Sequence, residues 1–198
     1  MKLRAESQAA TRLRITESAV ELHQTLGPSQ TTMAAVAEHA GVQRSTLYRH
    51  FPDEAALFSS CSAHWYASHP PPDVGRWSDI SDPHEQLVLS LTELYTWYRG
   101  TGSMLDLMIR DETLVPAAGQ RFSGFHARLD DAHNVLLAGR GPRRSASVSA
   151  LIRLALKFES WRTLCREGGL QDRPAAELIA VLVAATSTEG DRFITHSG

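Results

Sequence analysis

The stretch TMAAVAEHAGVQRSTLYRHF, from Thr32 to Phe51, decides the fold of this chain. Thr32 stands just ahead of apolar residues at helical spacing, and a hydroxyl at this place is typical of a helix N-cap. Gly41 suits the left-handed backbone conformation that ends a helix. Leu47 and Phe51 then lie one turn apart, as the buried side of a second helix. The stretch therefore predicts two short helices joined by a tight turn.

The opposite side of the second helix carries more hydrogen-bonding side chains than a structural helix needs. Arginine can bind guanine edges or phosphates with its forked guanidinium, and Ser, Thr and Tyr hydroxyls can bond phosphate oxygens. A glycine turn followed by a polar second helix is typical of the helix-turn-helix, whose second helix enters a DNA groove. The residues predicted to contact DNA are Thr32, Gln43, Arg44, Ser45, Thr46, Tyr48, Arg49 and His50.

The same residues resemble a known family. The segment GVQRSTLYRHF is similar to the signature of TetR-family transcriptional regulators, a Gly-Val turn followed by a recognition helix with the pattern Thr-Leu-Tyr-x-His-Phe. The resemblance is at motif level over about residues 7–60 and architectural beyond them. It implies an all-α protein, in which an N-terminal three-helix helix-turn-helix domain precedes a C-terminal helical domain for ligand binding and dimerisation. The matching residues are Gly41, Val42, Thr46, Leu47, Tyr48, His50 and Phe51.

Three residues depart from the family pattern. Gln43 stands where the family usually has a small N-cap such as Ser, and Gln caps helices poorly. Ser45 replaces a common Gly or Pro. Glu54 occupies the position, three residues after the phenylalanine, where the family commonly has a phosphate-contacting Lys. A carboxylate repels phosphate, so that contact is not expected in this chain.

Composition limits the class of protein. The chain has 198 residues, of which 42% are hydrophobic, and this is enough for a folded core. Residues 1–51 hold six Lys or Arg against four Asp or Glu, a mildly basic balance that suits a DNA-binding head or reflects the scatter of a few charges. Cys61 and Cys165 are far apart and form no CxxC pair, which argues against a disulfide scaffold or a zinc finger. With no secretory segment and no long apolar run, the sequence predicts a cytoplasmic protein without a membrane partner.

The first part of the chain is predicted to support the helix-turn-helix. Residues 1–6 are expected to be a frayed arm, and Ser7–Leu26 a helix that braces the motif. Arg12 and Arg14 lie off its apolar stripe, where they either reach a phosphate or remain solvated. A fourth helix is expected to start at Pro52, a tolerated early position for proline, and to link the head to the rest.

Beyond residues 68–83, a loop rich in Pro, Gly and Ser, every segment is predicted to be helical. One helix is expected to end at Gly100, a short one to run to about Pro116, and a third to stop near residues 139–142. Two apolar helices complete a total of about nine. The predicted division is a DNA-binding domain at residues 1–52 and a ligand-binding and dimerisation domain at residues 53–198.

The last two predicted helices are apolar around most of their circumference, which indicates burial on more than one side. A single chain of this size covers only part of such a surface, so we predict that these helices pair with their counterparts in a second copy. This matches the four-helix interface that the family resemblance implies. The residues predicted for the dimer interface are Leu151, Leu154, Phe158, Trp161, Leu178 and Leu182.

The middle helices are rich in aromatic and thioether side chains. If these converge, they line an apolar pocket with a few polar groups, which is the usual form of a small-molecule site. The alternative is an aromatic core, since most buried aromatic residues only pack. The residues predicted to bind a ligand are Trp65, Tyr95, Tyr98, Met104, Met108, Phe122, Phe125, His126 and Phe158.

The sequence thus predicts a homodimeric transcriptional regulator, most simply a repressor, that binds a pseudo-palindromic double-stranded operator and is released by an unknown small-molecule inducer. The alternative is a helical small-molecule-binding protein with no operator-binding role, which the residues Gln43 and Glu54 favour. The common sequence patterns of enzymes and of zinc sites are missing, so neither catalysis nor a metal or other cofactor is expected.

Overall fold

A computed structural model describes residues 2–141 and 145–188 of the chain, and within these ranges it contains helices and no strands. The prediction of an all-α fold is therefore confirmed. The helices are α1 (Lys2–Thr25), α2 (Met33–His39), α3 (Arg44–His50), α4 (Glu54–Ser68), α5 (Val74–Trp77), α6 (Pro83–Asp111), α7 (Pro116–Ala138), α8 (Ala146–Ala155), α9 (Phe158–Trp161) and α10 (Asp172–Thr188).

The chain forms two compact units. The N-terminal unit consists of residues 1–70 and 101–124, and the C-terminal unit of residues 71–100 and 125–198. The helix-turn-helix thus folds together with a segment that lies much later in the sequence. The functional division after residue 52 remains a prediction, which these compact units do not address.

The core of the N-terminal unit is built as the helix-turn-helix pattern predicts. Val36 and Ala37 of α2, together with Leu47 and Phe51, are buried against α1 and α4. Burying a side chain of this size contributes about 1.5–3 kcal/mol to stability. This apolar core fixes α2 and α3, and it leaves their other sides free.

A glycine makes the turn between α2 and α3. Gly41 has φ +63°, the left-handed conformation that its position in the sequence predicts. The Gly41 N–H donates to the carbonyl of Glu38 at 3.0 Å, and the Val42 N–H donates to the carbonyl of Ala37 at 2.9 Å. This pair of bonds is the Schellman arrangement, which satisfies carbonyls that a helix end leaves unpaired.

Two predictions about helix ends are wrong. Helix α1 begins at Lys2, so residues 2–6 are helical and not a frayed arm. Its first residues, Leu, Arg, Ala and Glu at positions 3–6, all favour helices, and this explains the early start. Helix α6 does not end at Gly100 but continues to Asp111. A glycine inside a helix costs only about 1 kcal/mol, and the buried stripe of α6 continues past it through Thr101 and Leu105.

The predicted helix at residues 146–166 is interrupted. Helix α8 ends at Ala155, α9 starts at Phe158, and a π-helical segment, Arg162–Glu167, follows. The interruption leaves carbonyl groups without helical partners, and two buried hydroxyls from α6 satisfy them. Tyr95 donates to the carbonyl of Ala155 at 2.9 Å, and Tyr98 donates to that of Leu156 at 2.7 Å.

Candidate nucleic-acid interface

Helix α3 presents a polar surface on an apolar base. Arg44, Ser45, Tyr48 and Arg49 are exposed, whereas Leu47 between them is fully buried. Tyr48 keeps 45% of its surface accessible, so its ring and hydroxyl can both contact a partner. Among the residues that the structure describes, neither guanidinium of α3 forms an ion pair. Both arginines are therefore available to an anionic partner.

Helix α1 holds the C-terminal end of α3 and the end of α2 in place. Arg12 donates from Nη1 to the carbonyl of His50 at 2.6 Å, and its guanidinium lies 4.1 Å from the centre of the Phe51 ring. Arg14 donates from Nε to the carbonyl of Ala40 at 3.0 Å, next to the turn between α2 and α3. The predicted bracing role of α1 thus has a physical basis in these contacts. Both arginines are used within the fold, which disfavours the phosphate contact considered for them.

The remaining predicted DNA contacts differ in accessibility. Thr32 is exposed, and its hydroxyl accepts a hydrogen bond from the Ala35 N–H at 3.1 Å as the N-cap of α2. Thr46 and His50 are half-buried, and the Nε2 atom of His50 is covered by protein. Burial and the nearby guanidiniums of Arg49 and Arg12 lower the pKa of His50, so this side chain is neutral near pH 7. It is the weakest of the predicted DNA contacts.

The departures from the family pattern have visible structural effects. Gln43 is the N-cap of α3, and its side chain makes no capping hydrogen bond. Glu54 is exposed at the first turn of α4, where the Asp53 carboxylate accepts from the Ala56 N–H at 2.7 Å and caps the helix. Glu54 and Thr32 line the same hollow, so a phosphate bound at Thr32 has a carboxylate close to it.

Changing Glu54 to Lys is expected to strengthen DNA binding by about 10- to 100-fold per dimer at low salt, because each subunit replaces a repulsion with a phosphate contact. The slope of log K against log salt becomes steeper by about 2. Both quantities are measured by fluorescence anisotropy with an operator fragment. The control is Glu85→Lys, the same charge change at an exposed position of α6. An equal gain in both variants shows that only the net charge matters.

A buried carboxylate ties the end of α6 to the loop before α2. The carboxylate of Asp111 is inaccessible to solvent and accepts from the Ser29 N–H at 2.8 Å. Arg110 donates to the same carboxylate from Nε at 2.7 Å and to the carbonyl of Leu26 at 2.8 Å. The Arg110 guanidinium is the main cause that lowers the pKa of Asp111 to about 2. We call these contacts, centred on Asp111, the α6 clamp.

A cavity lies close to the α6 clamp, in the same N-terminal unit. It lies between helices α1, α4 and α6, and its volume of about 470 Å³ includes open solvent at its mouth. Three residues predicted to bind a ligand, Trp65, Met104 and Met108, line it. They lie beside His23 and Cys61, which the prediction did not include.

Five other predicted ligand residues lie outside this cavity, so the predicted residues do not all line one pocket, and their role in ligand binding stays a prediction. Tyr95, Tyr98 and Phe158 are fully buried in the C-terminal unit, where ring packing and the hydroxyl bonds to α8 occupy them. Phe125 lines a different space of about 310 Å³ in that unit, and His126 is exposed. The side chain of Phe122 lies outside the described residues. Sequence periodicity identified these residues as buried, but it does not distinguish a core from a pocket.

Sequence reasoning missed His23. It lies in the last turn of α1, is 7% exposed, and has its Nδ1 atom 3.4 Å from the thiol of Cys61. Burial is the main cause that lowers its pKa to about 4, and the negative charge of Asp111 opposes this effect. The imidazole is therefore neutral at pH 7. The only signal in the sequence was its spacing of four residues from the buried Ala19, which on its own is weak.

His23 should make the N-terminal unit sensitive to moderate acid. Its folded pKa of about 4 lies below the ordinary value of 6.5, so the unfolded state binds more protons between these values and stability falls as the pH drops through this window. Between pH 7 and 4.5 we expect the wild type to lose about 2 kcal/mol more unfolding free energy than His23→Gln. Urea denaturation at several pH values measures the difference. His84→Gln, at an exposed position, is the control and should follow the wild type.

The residues predicted for the dimer interface fall into two groups. Leu154 of α8 and Leu178 and Leu182 of α10 are 53%, 42% and 45% exposed, and Leu151 is half-buried. Phe158 and Trp161, in contrast, are 1% and 2% exposed inside their own unit. Those two side chains do not belong to an exposed face, so the prediction for them is wrong. Val181, which is 59% exposed and lies next to Leu182, was missed.

Two kinds of site are missing from the described ranges. Within them, no three His, Cys, Asp or Glu side chains are grouped so that they could hold a metal ion. Likewise, none of the helices in residues 2–141 and 145–188 has both the length and the apolar character needed to cross a membrane.

Comparison with known proteins agrees with the motif and the fold. Residues 15–61 match the model for bacterial regulatory proteins of the tetR family. Among curated protein sequences, none matches the chain significantly. The match to residues 15–61 covers α2, α3 and their turn, where the exposed polar surface lies.

Solved structures extend the likeness to the whole chain. A TetR-like transcriptional regulator from Rhodococcus sp. RHA1 is 18% identical, with 92% of this chain and 97% of that chain covered and a TM-score of 0.63. A TetR transcription regulator from Haloarcula marismortui is 12% identical, with 91% and 98% covered and a TM-score of 0.57. At such identities the likeness shows a shared fold. Residues 15–61 therefore carry the helix-turn-helix of the tetR family, and the chain has the all-α fold of TetR-like transcriptional regulators.

Proposed function

We propose that this protein is a homodimeric transcriptional repressor of the cytoplasm, which binds a pseudo-palindromic operator and leaves it when a small molecule binds. The observation that carries the proposal is the surface of α3, where Arg44, Tyr48 and Arg49 are exposed on a helix that a buried core and two arginine contacts hold in place. Such a surface suits the major groove of DNA, which admits one α-helix. Thr32 and Tyr48 are assigned to phosphates, and Arg44, Ser45, Thr46 and Arg49 to base edges or their flanks.

The apolar surface of α8 and α10 supports the proposed dimer. Leu178, Val181 and Leu182 recur at the spacing of one helix face, and Leu154 lies on α8, which packs against α10. The opposite side of α10 is buried within the chain and consists mostly of small residues. Exposed apolar patches on helices mark interaction surfaces. A two-fold dimer then offers two recognition helices to half-sites about 34–36 Å apart, or a multiple of this distance.

The cavity in the N-terminal unit supports the proposed response to a ligand. Helix α6 contributes Met104 and Met108 to the cavity wall, and one turn later its Asp111 binds Ser29, just ahead of α2. A ligand that binds better when α6 is displaced would loosen the α6 clamp and shift the population away from the DNA-binding form. The proposed inducer therefore acts within the same compact unit as the helix-turn-helix.

Selection of genomic fragments by the purified full chain tests this function. We expect enrichment of fragments with dyad symmetry, and footprints with two protected halves centred about 10–10.5 base pairs apart or a multiple of this spacing. Enrichment of no fragment overturns the proposal. If small molecules still bind in that case, the result favours the alternative, a helical ligand-binding protein without an operator, which Gln43 and Glu54 support.

A further inference from the structure

The α1–α4–α6 cavity has a chemical character that limits what it can bind. Its wall is formed mainly by Val20 of α1, Phe58 and Trp65 of α4, and Met104 and Met108 of α6. The polar groups of the residues in the wall are an imidazole, an indole N–H, a thiol and two hydroxyls. Among the described residues, no Asp, Glu, Lys or Arg lines it. A charged ligand would therefore lose its hydration without gaining a counter-charge, which is strongly unfavourable.

The charged groups nearest to the cavity do not change this conclusion. Asp111 is the charge that acts on His23, but its carboxylate is already bound by Ser29 and by Arg110. The pair of Asp111 and Arg110 is neutral as a whole. His23 itself is uncharged at pH 7 because burial lowers its pKa. The wall thus attracts neither cations nor anions.

His23 offers a hydrogen-bonding position for a ligand. The Nδ1 atom of His23 lies 3.4 Å from the thiol of Cys61, which in turn is 3.2 Å from the carbonyl of Phe58. These contacts fix the imidazole ring. Its other nitrogen, Nε2, has no hydrogen-bond partner among the described residues. A neutral imidazole can donate to or accept from one polar group of a ligand through this atom.

The apolar part of the wall suits a flat molecule. Trp65 and Phe58 offer ring surfaces, and the thioethers of Met104 and Met108 adapt to different shapes. We propose that the effector is a neutral, mainly apolar molecule of about two fused rings, which binds between α1, α4 and α6 and hydrogen-bonds with His23. This inference rests on the proposed ligand response and adds its chemical class and its place in the fold.

Three probes of similar size and different charge test the proposal. We expect neutral 2-naphthol to bind the purified full chain at pH 7 at least about ten times more tightly than anionic 2-naphthoate or cationic N-methylquinolinium, measured by isothermal titration calorimetry. Tighter or equal binding of either ion overturns the proposal. So does the failure of 2-naphthol to bind.

Two variants locate the site. Met104→Trp fills the cavity and should weaken 2-naphthol binding by about ten-fold or more, whereas Leu129→Trp, in the 310 Å³ space of the C-terminal unit, should leave it unchanged. His23→Phe keeps a ring but removes the nitrogen, so it should weaken 2-naphthol about three- to ten-fold and leave naphthalene unaffected. Equal losses for both probes, or a loss only in Leu129→Trp, contradict the assignment.

Operator binding is measured on the same proteins without a probe. Thermal unfolding curves establish that each variant is folded. If the protein binds no operator in the absence of a probe, the proposed regulator function is wrong, whether or not the probes bind. If the operator binds but the charge preference or the variant pattern is absent, only the ligand inference fails.

Discussion

Changing Arg44 or Arg49 of α3 to Ala is expected to weaken operator binding by about 30-fold or more while the protein stays folded. Each arginine contact with a base edge or a phosphate is worth about 1–3 kcal/mol, and a dimer loses two of them. Both side chains are exposed on α3, so their removal creates no cavity. Anisotropy titrations with an operator fragment measure the loss, and urea denaturation verifies the fold.

The control for this experiment is Arg173→Ala. Arg173 is an exposed residue of α10, and among the described residues its side chain pairs only with Glu177 on the same helix, so this variant loses the same charge outside the helix-turn-helix. Its operator affinity should stay within about two-fold of the wild type. If all three variants bind like the wild type, α3 is not the recognition helix of this protein.

The two arginines can be distinguished from each other. Loss of a phosphate contact weakens binding to all sequences alike and lowers the salt slope by about 1 for each contact. Loss of a guanine contact instead relaxes the preference for one base in each half-site. Binding of Arg44→Ala and Arg49→Ala to a set of operators with single substitutions therefore assigns each side chain to a base or to the backbone.

The second large effect is expected at the apolar face of α10. The double variant Leu178→Glu, Leu182→Glu should be monomeric at a micromolar concentration at which we expect the wild type to be a dimer, because it buries charges without partners in the proposed interface. Sedimentation velocity measures the state of assembly. Operator affinity should fall by about 100-fold or more. In a monomer, binding of one recognition helix no longer keeps a second recognition helix close to the other half-site.

An exposed leucine outside this face provides the control. Leu89 of α6 is 38% exposed, similar to the two leucines of α10. Leu89→Glu should remain dimeric and bind the operator normally. A wild type that sediments as a monomer, or a double variant that remains a dimer, would show that the apolar face of α10 serves another partner.

Local rules were sufficient to predict the helix-turn-helix. Gly41 adopts the left-handed conformation, and Leu47 and Phe51 are buried, as their spacing indicates. The pattern that predicts all three lies within about ten residues, which a single sequence contains. The start of α4 was predicted two residues too early, at Pro52, because Asp53 is the N-cap and the helix begins at Glu54. The error at Gly100 was avoidable, because the apolar stripe of α6 continues with the same period on both sides of the glycine.

Other features depend on contacts between residues that are distant in the sequence. The break after Ala155 has no glycine or proline to mark it, and it is stabilised by the hydroxyls of Tyr95 and Tyr98 from another helix. Whether an aromatic residue lines a cavity or packs in a core also depends on contacts between residues that are distant in the sequence. A helical pattern identifies the side of a helix that is buried, but not which part of the protein, or which second copy, covers that side. Phe158 and Trp161 were for this reason assigned to an interface with a second copy when they belong to the core of one chain.

The α6 clamp also determines how far the DNA-binding part can be moved between proteins. Asp111 binds Ser29 from a segment about eighty residues later in the sequence, and that segment belongs to the same compact unit as the helix-turn-helix. A chimera that takes residues 1–52, or even 1–70, from this chain leaves behind both the carboxylate and the part of α6 that covers His23 and Cys61. The DNA-binding part is therefore not an independent module, and a functional chimera has to include residues 101–124 as well.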